Sequence, residues 1–339
     1  MTKEVFGTMP DGREVERYTL KSDSVQVDIL TLGATIAAVR TPDKNGVWAD
    51  IALGFDTPEE YIECPWCLGA TIGRYAGRIA NGRFVLNGKL VQVAQNRGDH
   101  MIHGGTVGFH QRVWEVCRAD DTCLELKLFS EDGDQGFPGA MTVWVTFLLE
   151  NNILTLEYSG TSSADTPFNM TNHVYWNLAG HSSGTIDEHV LMVPAQEYLE
   201  TDKDKIPTGR VLQLKDYGLD LRCPVKMESV HADYSFLLPD DGKMNLAGTV
   251  YEPSGGRWLK VMSDLPSVQV YTADGMAVME GKNGAIYGPR KGMCLETQFY
   301  PDAPNHENFP SAILRAGEEA THRICWKFGV DEGYALDKN

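Results

Sequence analysis

Phe84-Val85-Leu86 and Lys89-Leu90-Val91-Gln92-Val93 flank Asn87-Gly88, a dipeptide whose tolerance of positive φ suits the two-residue turn of a β-hairpin. The same arrangement recurs along the chain. Trp114 to Cys117 and Leu124 to Phe129 bracket Asp120-Asp121, with Leu124, Leu126 and Leu128 on one face, and Met141 to Leu149 and Ile153 to Tyr158 bracket Asn151-Asn152. Val25, Val27 and Ile29 alternate with Gln26 and Asp28, and further strand-like runs lie at Trp258 to Met262, Val268 to Tyr271 and Ile324 to Phe328. Helical signals are scarce. Thr57-Pro58-Glu59-Glu60 combines an N-cap, a proline at the first helical position and acids in the first turn, and predicts one short helix. Many strands, short turns and too few helices to cover a parallel sheet predict an all-β chain. Its antiparallel sheets should pack face to face as one large β-sandwich spanning residues 1–339. The 34 glycines, above the usual ~7% of a chain, supply the turns.

Lys and Arg total 30 against 47 Asp and Glu, and the resulting charge of −17 opposes binding to nucleic acid or an anionic membrane. A neutral small molecule is indifferent to that field. No segment approaches the roughly 18 to 20 apolar residues of a membrane span, and the N-terminus lacks an apolar secretory core. Seven cysteines, an odd number with Cys117, Cys123, Cys294 and Cys325 inside apolar strands, fit reduced thiols in a cytoplasmic protein. The oligomeric state is left open.

Several segments carry candidate chemistry. In Met293 to Asp302 (MCLETQFYPD), a period of two places Cys294, Glu296, Gln298 and Tyr300 on one face, and Pro301 should end the strand. Glu296 thus stands on a rigid segment close to a loop. Gly69 to Gly82 (GATIGRYAGRIANG) carries Arg74 and Arg78, one helical turn apart or on one strand face, in a stretch where backbone must approach closely. No Gly-Lys-Ser/Thr follows, so it is not a phosphate-binding loop.

His100 and His103 form an HxxH, but no third ligand stands at a recognisable spacing, so no metal is expected. Gly104-Gly105 frees space beside His103, as suits a histidine lining a pocket. In Thr171 to Gly180 (TNHVYWNLAG), His173 and Tyr175 share a face, which suits a proton carrier. Asp233 precedes an apolar run, and Gln269 and Tyr271 share a strand face. Cys64-Pro65-Trp66-Cys67 is a CxxC without the βαβ pattern of a redox fold or a second CxxC for zinc.

Together and in this order, these segments resemble the aldose 1-epimerase (galactose mutarotase) family over nearly the whole chain, with Ile206-Pro207-Thr208-Gly209 as a further match. The resemblance implies a large β-sandwich with its site on a concave sheet face. The implied activity is interconversion of the α and β anomers of free aldohexoses such as galactose and glucose, without metal or organic cofactor. Carried over by position, it makes Glu296 the general base and His173 the general acid, with Arg78, His103, Tyr175, Asp233 and Gln269 binding sugar hydroxyls. Gly77, Tyr234 and Asp274 depart from the family's pattern, and they bear on sugar preference more than on the reaction.

Three other readings compete. A glycoside hydrolase would need a second carboxylate, for which Asp233 is a candidate. A non-catalytic sugar-binding protein would have no use for the Glu296 and His173 pair. A sugar-phosphate epimerase would need a basic cluster that the acidic balance argues against.

Overall fold

In the computed structural model, which describes residues 1–216 and 220–331, three antiparallel sheets dominate. The single-domain reading also takes in residues 217–219 and 332–339, which lie outside the described residues. The largest sheet has nine strands. Its centre is built from the hairpin Met141–Glu150 and Ile153–Ser162, continued by Glu319–Val330 and Arg257–Ser263. A five-stranded N-terminal sheet runs from Thr2–Thr8 to Trp48–Asp50. A second five-stranded sheet orders Pro207–Gln213, Glu197–Thr201, Asp233–Leu237, Ser267–Tyr271 and Cys294–Gln298.

The main core explains why these sheets stack. It draws Leu20, Val27 and Ile29 from the N-terminal sheet and Leu126, Val145, Leu156 and Trp326 from the nine-stranded one. Phe236, Val268, Val270 and Leu295 come from the third. Where one strand gives two of them, as with Val27 and Ile29 or Val268 and Val270, they are two residues apart, the period with which a strand turns alternate side chains to one face. Trp176 reaches the same core, its ring 5.5 Å from Trp326 and 5.8 Å from Phe328.

The expected turns form. Arg83–Leu86 pairs with Lys89–Gln92 around Asn87 (φ 52°) and Gly88 (φ 73°), the positive pair a two-residue primed turn requires. The one α-helix among the described residues is Pro58–Glu63. Thr57 caps it by accepting from the Glu60 amide at 3.4 Å, while Glu60 accepts from the Thr57 amide at 2.9 Å.

The structure corrects the expectation that Arg74 and Arg78 share a face. Gly69 to Gly82 is neither one helix nor one strand, but the short strands Thr71–Ile72 and Arg78–Ile79 followed by a 3-10 turn at Ala80–Gly82. The Arg74 side chain turns inward and is 1% exposed. Its guanidinium donates to the carbonyls of Ser130, Glu131, Pro138 and Gly139 at 2.7–3.1 Å and to the Ser130 hydroxyl. Burial lowers its pKa to about 10. It is a structural tie for the 130–139 loop. Arg74→Met should therefore leave buried carbonyls without donors and cost about 3 kcal/mol or more, read as a lower urea midpoint at unchanged m-value. A midpoint equal to the parent's would show that water replaces the guanidinium at little cost.

Candidate active site

The third sheet lays out one wall of the site by register alone. Ser235, Gln269 and Glu296 are opposed across three neighbouring strands, and Asp233, Tyr271 and Cys294 form the adjacent row. Because both rows sit two residues apart on every strand, all six side chains leave the same face. Gln269 is held within this wall. Its amide donates to the Asp233 carboxylate at 2.8 Å, and its carbonyl accepts from the Ser235 hydroxyl at 2.5 Å.

A second wall comes from the segment around His173. The His173 amide donates to the Ala70 carbonyl, the His173 carbonyl accepts from Gly69, and Trp176 exchanges two backbone hydrogen bonds with Met293. This clamps residues 171–177 in extended form between the Gly69 segment and the Glu296 strand. The His173 imidazole is thereby set beside the sheet, with Nε2 3.6 Å from Glu296 Oε1 and Nδ1 3.5 Å from Cys294 Sγ. Tyr175 stacks on it at 5.0 Å and 22°, and at 1% exposure lies behind it.

Arg78 and His103 arrive together. Their segments pair, Ile102 opposite Arg78. Gly77 fixes His103 from both sides, accepting from its amide at 3.0 Å and donating its own amide to Nδ1 at 3.3 Å. The neighbouring glycine is required for a close approach: a Cβ on Gly104 would lie 1.9 Å from the Gly73 carbonyl oxygen. The His103 ring then meets His173 edge-on at 5.2 Å.

These groups line a cleft of about 810 Å³, together with Trp66, Arg97, Lys205 and Tyr271. All seven residues singled out from the sequence (Glu296, His173, Arg78, His103, Tyr175, Asp233 and Gln269) contribute to its lining. Sequence reasoning missed Lys205, whose ammonium lies 3.7 Å from Asp233 and 4.8 Å from the centre of the Tyr234 ring. It sits in a loop with no pattern to mark it.

The surroundings shift the proton affinities strongly. Burial, helped by the nearby Asp233 charge and opposed by Arg78, raises the Glu296 carboxyl to about 8. Burial lowers the His173 imidazole to about 4. His103 is pushed well below the ordinary histidine value by burial and by the fields of His173 and Arg78. At neutral pH both imidazoles are therefore uncharged and Glu296 is mainly protonated, with a minor carboxylate fraction. A carboxyl and an imidazole 3.6 Å apart that hold one transferable proton between them are suited to moving protons on and off oxygen.

The HxxH pair does not act as a unit, because His100 turns away and its Nδ1 accepts from the Asn81 amide at 3.0 Å. His103, His173 and Glu296 do bring donor atoms within 4.8 Å of one another, a spacing a metal could use. The hydrogen bonding fits a sugar better. With Nδ1 accepting from Gly77, His103 keeps its proton on Nε2, whereas a metal there would force that proton against the Gly77 amide. Cys64 and Cys67 lie in the cleft wall as free thiols, raised to about 11 and about 12 by burial.

The departures from the family pattern lie in or next to the cleft. Gly77 has φ 75° and packs against Pro301, and Asp274 binds His231 Nδ1 at 2.6 Å. Tyr234 receives Lys205 over its ring.

The comparisons with known proteins agree with this geometry. The sequence model of the Aldose 1-epimerase family matches residues 16–326. The chain is 39% identical to a human protein named galactose mutarotase and 34% identical to an Escherichia coli K12 protein named aldose 1-epimerase, over 97% of this chain and 99% of each relative. A solved structure of a GalM/aldose epimerase homologue from C. elegans superposes with a TM-score of 0.88 at 29% identity, covering 93% of this chain and 98% of the other. A solved galactose 1-epimerase from Lactobacillus acidophilus shares the fold, with a TM-score of 0.83 at 24% identity over 97% and 98%. No helix among the described residues is long and apolar enough to cross a membrane. With its sequence matched to the family over nearly its full length and its sheets matched to those of a solved homologue, the chain belongs to the aldose 1-epimerase family.

Proposed function

We propose that Glu296 and His173 are the proton-transfer pair with which this chain interconverts the α and β anomers of free aldohexoses such as galactose and glucose. The observation that carries this reading is the 3.6 Å approach of His173 Nε2 to Glu296 Oε1 in the wall of a cleft roomy enough for a hexose. In its carboxylate form Glu296 takes the proton of the C1 hydroxyl. For this step the pair's shared proton lies on His173: as the imidazolium it hands its Nε2 proton to the ring oxygen and is left neutral, Glu296 is left as the carboxylic acid, and the hemiacetal opens to the aldehyde. Rotation about C1–C2 turns the other carbonyl face toward the returning hydroxyl, and the same two groups act in reverse to close the ring.

The remaining groups hold the sugar. Arg78 presents a planar set of donors, and His103 offers its Nε2–H. Asp233 and Gln269, already bonded to one another, retain further lone pairs and N–H groups for hydroxyls. Tyr175 packs beneath His173 and lines the same cleft. The continuity of the core from Tyr18 to Phe328 supports one domain as the framework.

Purified protein added to freshly dissolved α-galactose or α-glucose should accelerate the change in optical rotation far beyond the buffer blank. Anomer-resolved proton NMR over a panel of aldoses would rank the substrates. A rate equal to the blank for every aldose would overturn the reading, and release of sugar from an aryl glycoside would replace it with hydrolysis.

A further inference from the structure

Gln298 lies on the same strand as Glu296, two residues on, and is opposite Ser267 where Glu296 is opposite Gln269. Its side chain therefore leaves the sheet on the cleft face, in a further row beyond Ser235, Gln269 and Glu296. It contributes to the lining of the cleft at the end where Gly77 and Pro301 also stand.

The two glutamines of this wall differ in one respect. The amide of Gln269 is engaged at both ends, by Asp233 and by Ser235. The amide of Gln298 forms no hydrogen bond among the described residues, although the residue is 1% exposed and its Oε1 is shielded from solvent. Its neighbours explain why. A Cβ on Gly77 would stand 3.5 Å from Gln298 Nε2 and 3.1 Å from Pro301, so bare backbone and a proline ring border the amide. The Gly77 N–H is directed at His103 Nδ1, and Pro301 has no N–H to give. A buried amide left unpaired in this way costs free energy that no protein group offsets. A sugar hydroxyl is both donor and acceptor, so it can serve either end of that amide.

We propose that the Gln298 amide is a further substrate-binding group, pairing with a hydroxyl at C3 or C4 of the aldohexose, on the side of the ring away from C1. Two residues of strand separate it from Glu296 by about 7 Å, the breadth of a pyranose ring. A sugar whose C1 hydroxyl is at Glu296 and whose ring lies along that strand carries its far hydroxyls to Gln298. One strand thus supplies both the carboxyl that meets the reacting end and the amide that meets the opposite end. This rests on the reading of the cleft as the sugar site.

Gln298→Met keeps the length of the side chain and removes both hydrogen-bonding ends. Titration calorimetry should show glucose bound about 10-fold more weakly by the variant, and polarimetry a KM raised to match with kcat near the parent's. The free variant should melt no lower than the parent, since an amide without a partner contributes nothing to folding. Deoxy sugars read the position. In the parent, either 3-deoxyglucose or 4-deoxyglucose should bind about 10-fold more weakly than glucose, and in the variant that same sugar should suffer no further loss. Parental affinity in the variant, a lower melting temperature of the free variant, or an equal loss on glucose and on every deoxy analogue would each overturn the proposal and leave an amide served by internal water. A parent that binds aldoses without accelerating anomer exchange fails the catalytic reading alone, and a parent that binds none fails both.

Discussion

Glu296→Gln should lower kcat for anomer exchange by about 10²- to 10⁴-fold while the protein folds as before, because the amide keeps the shape of the carboxyl and cannot take a proton. The same substitution should change stability in the opposite sense to most active-site damage. In the folded protein the carboxyl titrates near 8, against about 4.5 for an exposed glutamate. A group whose folded pKa is raised supports folding fully below its unfolded value, and that support is lost as pH rises through the folded value. The parent should therefore lose stability between about pH 4.5 and 8 through this group, by about 1.4 kcal/mol per unit of separation between the two values. The glutamine variant carries no such titration. Its melting temperature should match the parent's near pH 5 and exceed it at pH 9. A variant that is slow but melts with the parent's pH dependence would show that Glu296 is not the buried group titrating near neutrality.

His173→Asn should be comparably damaging to kcat, since it removes the Nε2–H that faces Glu296 while leaving a side chain small enough for the same space. Its effect should not multiply with that of Glu296→Gln. Ring opening needs a proton removed and a proton supplied in one event, so once either group is lost the other has little left to contribute. The double variant should be about as slow as the slower single variant. Independent, multiplicative losses would mean that the two residues serve separate steps. Steady-state polarimetry on the three proteins distinguishes these outcomes.

Much of the fold was legible because its determinants are local. Asn87-Gly88 specifies its turn through the φ values two residues prefer, and Leu124, Leu126 and Leu128 reveal a buried face through spacing alone. Thr57-Pro58 marks the short helix Pro58–Glu63 in the same way. The alternation within MCLETQFYPD also held, with Leu295 in the main core and Glu296 on the cleft side. Less legible was the stretch Gly69 to Gly82. Its two arginines, four residues apart, look equivalent in the sequence, yet Arg74 ties down a distant loop while Arg78 enters the cleft. No regular periodicity runs through that stretch, so nothing local says where each side chain goes.

By itself the sequence determined an antiparallel, strand-built chain with its turns in place, and resemblance to a family directed attention to Glu296 and His173. Only the tertiary structure decided that His173 Nε2 meets Glu296, that Nδ1 meets Cys294, and that Asp233 and Lys205 share one wall of the cleft. The difference has a physical cause. Strand and turn preferences are set by a residue and its near neighbours, whereas proton affinity depends on burial and on charges brought close by packing between segments far apart along the chain.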